Sequence, residues 1–279
     1  MKDFPILETS YIYTREQFHL IAKLIGKVRE TLVKPIAKND NLWLSVVDKG
    51  FCTPPITEFS ELEIGCNIET SKIEIANSKD FKAIDIKGKP IAEIGNDLVS
   101  ILKEHIITID IDLSKISSLQ VFNVMENDSN NFLTQFSNYH WLLKEFHSRI
   151  RDGVKTQICL WPHHFDNGFI WYCGKKINEQ DEQTCLTADA IGRQVGIGVS
   201  NGDETYSLPY IYMTFWPELR RTNKLEIVDG AILHSEGWTG IILPYHSVEE
   251  KKNINEQKKL VEDFFNISFE TVKKEFGKR

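Results

Sequence analysis

The 279-residue sequence lacks the short motifs by which several large enzyme classes are recognised. It contains no GxGxxG, no GxxxxGK[ST], no HExxH and no GxSxG. These motifs supply phosphate-binding loops, zinc ligands and nucleophilic serines. Their absence argues against a Rossmann oxidoreductase, a P-loop NTPase, a zincin protease and an α/β-hydrolase.

Long apolar runs and paired cysteines are also missing. No stretch of about 18 apolar residues occurs, so no membrane span is expected. The start of the chain has no apolar run behind basic residues, which argues against a signal peptide. The five cysteines form no CxxC pair, so a zinc ribbon is excluded. We predict a cytoplasmic protein with reduced, mostly buried thiols, in which Cys52 and Cys185 stay open as reactive candidates.

An excess of basic residues is absent as well. The chain has 33 basic and 40 acidic residues, for a net charge of −7. Proteins that bind nucleic acid through phosphates cluster Lys and Arg, so nucleic acid is not expected as a partner. The 41% hydrophobic and 26% charged content is ordinary for a soluble globular protein.

Helical and strand periodicities alternate along the chain. Four helices are predicted: one that begins at a Thr14–Gln17 capping box and ends at Pro35, one from Pro90, one over 132–151, and one after Ser247 with Glu250 as its box partner. Strands are predicted at 42–47, 62–68, 72–76, 81–86, 107–113, 156–161, 169–173, 195–200, 210–215, 224–228, 232–234 and 239–243.

Two decapeptides resemble each other. LWLSVVDKGF (42–51) and LWPHHFDNGF (160–169) agree at five of ten positions. The repeat and the order of elements predict an α+β fold of two similar helix–antiparallel sheet–helix units. The units would be 1–113 and 132–279, with a polar connector at 114–131. A double-stranded β-helix with added helices is the alternative.

The string WPHHFD (161–166) holds the first candidate site. If it is a strand, His164 and Asp166 share one face. With the distant His234 they form the residue set of a two-histidine, one-carboxylate metal site for Fe, Zn or Mn. Asp166 also aligns with Asp48 in the repeat, and both sequences are typical of hairpin turns. Whether Asp166 is a ligand or a turn residue stays open.

Two further strings, at 196–210 and 234–240, hold most of the remaining unusual polar and aromatic residues. Gly196 and Gly198 lie in a predicted strand, where glycine allows a close approach of a ligand or backbone. We predict His163, His164, Asp203, Glu204 and His234 as candidate catalytic acid–base residues. The candidate ligand-binding residues are Trp161, Gly202, Tyr206, Tyr210 and Trp238.

The strings LWPHHFDNGF (160–169), IGVSNGDETYSLPYIYM (197–213) and HSEGWTGIILP (234–244) together resemble the motifs of an uncharacterised bacterial family, a domain of unknown function. The N-terminal strings LIGKVRETL and GFCTPPI are similar to the same family. The resemblance places the histidines, Asp166, Gly202, Asp203, Tyr206, Pro209, Tyr210, Gly237 and Trp238 on motif positions. The chain departs at Asn201, where the pattern has Pro, and at Leu208, where it has Glu. The family implies no activity.

Two classes of function remain open from the sequence. One is a metal-dependent or acid–base enzyme that acts on a small molecule. The other is a non-catalytic module that binds a small ligand or a protein. A purely structural role is the third option.

Overall fold

The computed structural model describes residues 1–34, 41–104, 107, 116, 120–172, 194–216 and 225–277. The chain forms two compact units. The N-terminal unit comprises Leu7–Ser137 and Cys159–Phe165, and the C-terminal unit comprises Met1–Ile6, Asn138–Ile158 and Asp166–Arg279. Helices and antiparallel sheets confirm the α+β class. The sequence domains 1–113, 114–131 and 132–279 divide the chain differently and stay a prediction.

The described helices are α1 (Ser10–Leu32), α2 (Ile91–Glu104), α3 (Glu126–Arg149), α4 (Tyr245–Glu249) and α5 (Ile254–Gly277). The strands are β1 (Ser45–Val47), β2 (Gly50–Cys52), β3 (Glu63–Asn67), β4 (Lys72–Ala76), β5 (Phe81–Asp85), β6 (Val154–Lys155), β7 (Cys159–Trp161), β8 (Asp166–Tyr172), β9 (Gln194–Ser200), β10 (Tyr210–Trp216), β11 (Ile232–His234) and β12 (Gly240–Pro244). A short 3₁₀ turn spans Thr57–Phe59. No described helix is both long enough and apolar enough to cross a membrane.

The N-terminal unit is built on an antiparallel meander in the order β1–β2–β3–β4–β5. Alternate residues of β3 and β4 are buried on one face, where the register pairs Ile64 with Ile75 and Cys66 with Ile73, and Ile84 is the buried residue of β5 opposite Ile73. Helix α1 contacts β3 and buries an apolar stripe at helical spacing. This burial of apolar area is what holds the meander and α1 together.

The sheet of the C-terminal unit has the antiparallel strand order β11–β12–β10–β9–β8–β6. One face carries the aligned, buried side chains of Phe169, Ile197, Met213 and Ile241. Helices α3 and α5 supply the apolar partners on that side, since Phe146 of α3 contacts Phe169, and Phe265 of α5 stacks on Phe146.

The opposite face, here called the site face, carries a different set of residues. Because side chains alternate along a strand, the register places on it Asp166, Gly168 and Ile170 of β8; Ser200, Gly198, Gly196 and Gln194 of β9; Tyr210, Tyr212, Thr214 and Trp216 of β10; and His234 of β11. Glycines in the middle strand leave room beside the large side chains of β10.

Helix boundaries differ from the prediction at three places. Helix α1 begins at Ser10, so the predicted capping box at Thr14 lies inside it and is buried. Helix α3 begins at Glu126, within the segment predicted as a polar loop. The last helix is capped by Asn253, whose side-chain oxygen accepts hydrogen bonds from the amides of Asn255 and Glu256.

Asp166 is not a turn residue. Its counterpart Asp48 lies in the hairpin turn between β1 and β2, as predicted, but Asp166 is the first residue of β8, and the turn is Pro162–Phe165. The predicted alternation of His164 and Asp166 along one strand is therefore wrong, because His164 lies in that turn. The predicted strand 107–113 lies outside the described residues except for Ile107, and residues 225–228 are not a strand.

Candidate functional site

A tyrosine–carboxylate pair spans three strands of the site face. Tyr212 on β10 donates a short hydrogen bond from its hydroxyl to the Asp166 carboxylate on β8. Its ring crosses β9 at Gly198, its register partner, where a Cβ atom would lie 2.5 Å from the Tyr212 hydroxyl. At Gly168 a Cβ would lie 2.9 Å from the same oxygen. The two glycines allow Tyr212 to lie across the sheet and reach Asp166.

Burial and the Asp166 charge together raise the pKa of the Tyr212 phenol well above its usual value. Both favour the neutral hydroxyl. Tyr212 is therefore a permanent hydrogen-bond donor to Asp166 at physiological pH.

Asp203 organises the loop between β9 and β10. One of its carboxylate oxygens accepts hydrogen bonds of 2.8 Å from the amides of Thr205 and Tyr206, and the other accepts a 2.6 Å bond from the Tyr210 hydroxyl. Burial, and then the bond to Asp203, raises the pKa of Tyr210. Both oxygens of this candidate catalytic carboxylate therefore hold the loop in place.

His234 is held between three neighbours. Its Nε2 lies 2.8 Å from the Glu236 carbonyl oxygen, which can only accept, so Nε2 carries a proton. Its Nδ1 lies 3.0 Å from the Tyr206 hydroxyl. The ring stacks on Trp238 with centroids 4.1 Å apart. His234 thus fixes the positions of Tyr206 and Trp238.

A groove of about 380 Å³ opens on the site face beside this network. Trp216 and Trp238 line it together with Ile170, Gln194, Gly196 and Thr214. Trp238 also packs over Gly240, where a Cβ would lie 2.6 Å from the indole. The Tyr212 ring lies 6.4 Å from that of Trp238, which places the tyrosine–carboxylate pair next to the groove. We call this hollow the tryptophan groove.

The predicted site residues fall in different units. Asp166, Gly202, Asp203, Glu204, Tyr206, Tyr210, His234 and Trp238 belong to the C-terminal unit, and Trp161, His163 and His164 belong to the N-terminal unit. The structure brings together Tyr206, Tyr210, His234 and Trp238 through ring contacts. Glu204 is exposed.

No metal cluster supports the proposed triad. Among the residues with described positions, no group of three or more His, Cys, Asp or Glu side chains is placed to hold a metal ion. Asp166 instead binds Tyr212, and both ring nitrogens of His234 are hydrogen-bonded. The metal role of His164, Asp166 and His234 stays a prediction without geometric support.

The turn Pro162–Phe165 is held from within the N-terminal unit. His19 of α1 donates from Nε2 to the Pro162 carbonyl at 2.9 Å and lies 3.2 Å from that of His163. Phe165 has a φ of 55° and is fully buried, with its ring stacked 5.1 Å from that of His19. His163 and His164 are exposed on this anchored turn.

We expect acid to weaken the anchoring of this turn through His19. Burial, followed by the charge of Lys23, lowers the pKa of His19 from 6.5 to about 4. The unfolded chain then takes up a proton at higher pH than the folded chain, so the stabilisation is complete above pH 6.5 and is lost as pH falls through 4. Relative to His19→Gln, the wild type should lose about 3 kcal/mol of unfolding free energy between pH 6.5 and pH 4, measured by urea unfolding.

His19→Gln is a suitable reference because its amide can still donate to the Pro162 carbonyl but cannot titrate. If His19→Gln leaves the pH dependence of the wild type unchanged, His19 does not titrate as described.

The described cysteines are not activated nucleophiles. Burial, and then the charge of Glu63, raises the pKa of the Cys52 thiol to about 11. Burial also raises the pKa of Cys66, and Cys159 is buried. Because only the thiolate is a strong nucleophile, Cys52 is not suited to nucleophilic catalysis at neutral pH. Cys173 and Cys185 lie outside the described residues.

The sequence profile of a family of unknown function, DUF5996, matches residues 4–276. The chain belongs to this family. The match covers both units, so the predicted resemblance to a domain of unknown function is confirmed at that level, and the individual motif patterns stay a prediction. No curated protein and no solved structure matches the chain. Membership in DUF5996 assigns no activity, so the case for a function depends on the site geometry.

Three residues of this DUF5996 member matter more than the sequence indicated. Tyr212, Trp216 and His19 were not among the predicted site residues, although each has a defined position in the site face or the anchored turn. For Tyr212 the signal was present: Gly196 and Gly198 indicated a close approach, and the approaching group is a side chain of the next strand. His140 and His147 of α3 were not predicted as site residues, and they pack against β8 through Asn167 and Phe169.

Proposed function

We propose that the C-terminal unit binds a small molecule in the tryptophan groove. The observation that carries this proposal is a concave hollow of about 380 Å³ with two tryptophans in its lining, next to a preformed hydrogen-bond network. This volume is at the lower end of the range of about 300–1,000 Å³ that is usual for ligand pockets. Apolar walls with a few polar groups are typical of such pockets.

The network beside the groove favours binding over acid–base catalysis. The Asp203 oxygens, the His234 nitrogens and the Tyr212 hydroxyl all have partners within the unit. A general acid or base needs an atom that can reach the substrate proton. These groups instead hold the groove walls in one geometry, which lowers the entropy lost on binding. The catalytic roles of His163, His164, Asp203, Glu204 and His234 stay a prediction.

The test is a thermal-shift and tryptophan-fluorescence screen of the full chain. The panel comprises uncharged heterocycles, sugars, amino acids and carboxylic acids. A compound that binds in the groove should raise the melting temperature and change the fluorescence of the wild type. Both effects should be lost in Trp216→Leu, a half-exposed position that tolerates substitution, and in Trp238→Leu.

Trp141→Leu is the matched control for these variants. Trp141 lies on α3, is exposed to a similar extent as Trp216 (45% against 47%), and is not part of the groove lining. Compounds that bind the groove should affect Trp141→Leu as they affect the wild type. If no compound shifts the wild type, or if every shift survives both groove variants, the proposal is wrong.

A further inference from the structure

The chemistry of the tryptophan groove limits what it can hold, and this inference rests on the function proposed above. We infer that the ligand inserts a flat, uncharged heterocycle of the nucleobase type between the groove walls. Three properties of the described lining residues carry the inference: aromatic walls, a lack of charge and a single amide.

The walls favour a planar group. Trp216 and Trp238 come from different segments, the end of β10 and the loop before β12, and both face the same hollow. No large side chain projects from the strands at Gly196 and Thr214, because Gly196 has no side chain and that of Thr214 is small. Aromatic side chains stack well on flat π systems, and stacking of a base on an aromatic ring is sequence-tolerant and favourable.

The described lining does not favour a charged group. None of its side chains carries a charge, and the Asp166 carboxylate of the network is already bound by Tyr212. A charge buried without a partner is strongly unfavourable. The inserted part of the ligand is therefore neutral.

The few polar groups favour a base over a sugar. Gln194 presents an amide, and Thr214 and Thr239 present hydroxyls. An amide offers one donor and one acceptor side by side, which matches the edge of a nucleobase. A sugar would bring a ring of hydroxyls against three polar side chains among the described lining residues, and its unpaired hydroxyls would oppose binding.

The larger hollow of the N-terminal unit does not offer this combination. It has about 610 Å³ and is lined by Thr9, Ile12, Tyr13, Glu16 and Leu20 of the α1 region and by Gln120. Its described lining residues include no tryptophan. The tryptophan groove is therefore the better place for a flat ring.

The test is a titration of the full chain with adenosine and with cytidine, in which tryptophan fluorescence reports binding. Methyl β-glucoside, maltose and benzoate are titrated in parallel. At least one nucleoside should quench the fluorescence at concentrations where the sugars and benzoate do not. Gln194→Leu should weaken nucleoside binding about tenfold, because the donor–acceptor pair is lost. Gln157→Leu, an exposed glutamine of the same unit, is the control and should bind as the wild type does.

The outcomes separate the two proposals. If a sugar or benzoate binds in the groove and no nucleoside does, the inference is overturned and the binding function stands. If nucleosides bind Gln194→Leu as tightly as they bind the wild type, the Gln194 amide does not hydrogen-bond the edge of the heterocycle, and the inference is overturned. If no compound of this set or of the wider screen binds the wild type, the proposed function fails with it.

Discussion

Replacement of Phe165 by alanine should destabilise the N-terminal unit by about 3–5 kcal/mol, and replacement by glycine should cost no more than alanine. The first effect follows from burial, because the ring is 1% exposed and contacts those of His19, Phe51, Phe132 and Phe136. Loss of a fully buried phenyl ring leaves a cavity and removes apolar contacts. Urea unfolding of the three proteins measures both differences.

The second effect follows from the backbone. Phe165 has a φ of 55°, a left-handed conformation that is costly for a bulky L-residue. Glycine relieves about 1 kcal/mol of this cost, whereas alanine does not. At an ordinary position the order is reversed, since glycine there is less stable than alanine by a similar amount.

Phe132 provides the matched control. It lies in the same aromatic cluster, with its ring 6.0 Å from that of Phe165, and it is equally buried, but it belongs to helix α3. Phe132→Gly should therefore be less stable than Phe132→Ala. If Phe165 shows the same order as Phe132, the turn is not strained and the account of its anchoring is wrong.

The sequence predicted strands better than helix ends. Alternation of apolar residues identifies β4, β9 and β10 because one face of each is buried, and burial is what the alternation records. Capping patterns are short and recur by chance. Thr14 and Gln17 fit a capping box, yet both are buried within α1, and the polar segment from Glu126 is helical because Ser129 and Phe132 face the interior.

The turn at Pro162–Phe165 shows why local chemistry was not enough. Asp-Asn-Gly at 166–168 is typical of a hairpin turn, and the same pattern at Asp48 forms one. In the second case, tertiary contacts decide: Pro162 packs on Gly26 of α1, and Phe165 enters the aromatic cluster. The turn therefore forms four residues earlier, and Asp166 becomes available to Tyr212.

The sequence predicted candidate residues and not their arrangement. Tyr206, Tyr210, His234 and Trp238 were among these candidates, and the structure joins them by ring contacts, while their roles stay a prediction. Their hydrogen bonds could not be predicted from spacing, because each depends on the register of β9, β10 and β12. That register places Gly198 beside Tyr212, so the Tyr212 hydroxyl can cross β9 and reach Asp166.

Gly198→Ala should destabilise the C-terminal unit by about 3 kcal/mol and break the hydrogen bond between Tyr212 and Asp166. The new Cβ would lie 2.5 Å from the Tyr212 hydroxyl oxygen and 2.8 Å from the backbone oxygen of Asn167. The backbone cannot yield easily, so the Tyr212 ring has to move off the strand. The loss of unfolding free energy has two sources: overpacking by the new Cβ, and the broken hydrogen bond from Tyr212 to the charged Asp166. Urea unfolding measures the loss, and Tyr212→Phe shows how much of it comes from the hydroxyl alone.

Gly196→Ala is the matched control, since it lies two residues away on the same strand and the same face. Its Cβ would lie 2.5 Å from the Thr214 hydroxyl oxygen, but the next contact, with the Thr214 Cβ, is 3.9 Å. A threonine hydroxyl can move to another rotamer, whereas the Tyr212 ring is held by Asp166, so Gly196→Ala should cost about 1 kcal/mol or less. The cost of Gly198→Ala should also fall in a Tyr212→Ala background, because the clashing ring is gone. If the two glycine variants lose the same unfolding free energy, or if Gly198 and Tyr212 show no coupling, the position of the Tyr212 ring does not depend on the missing side chain at Gly198.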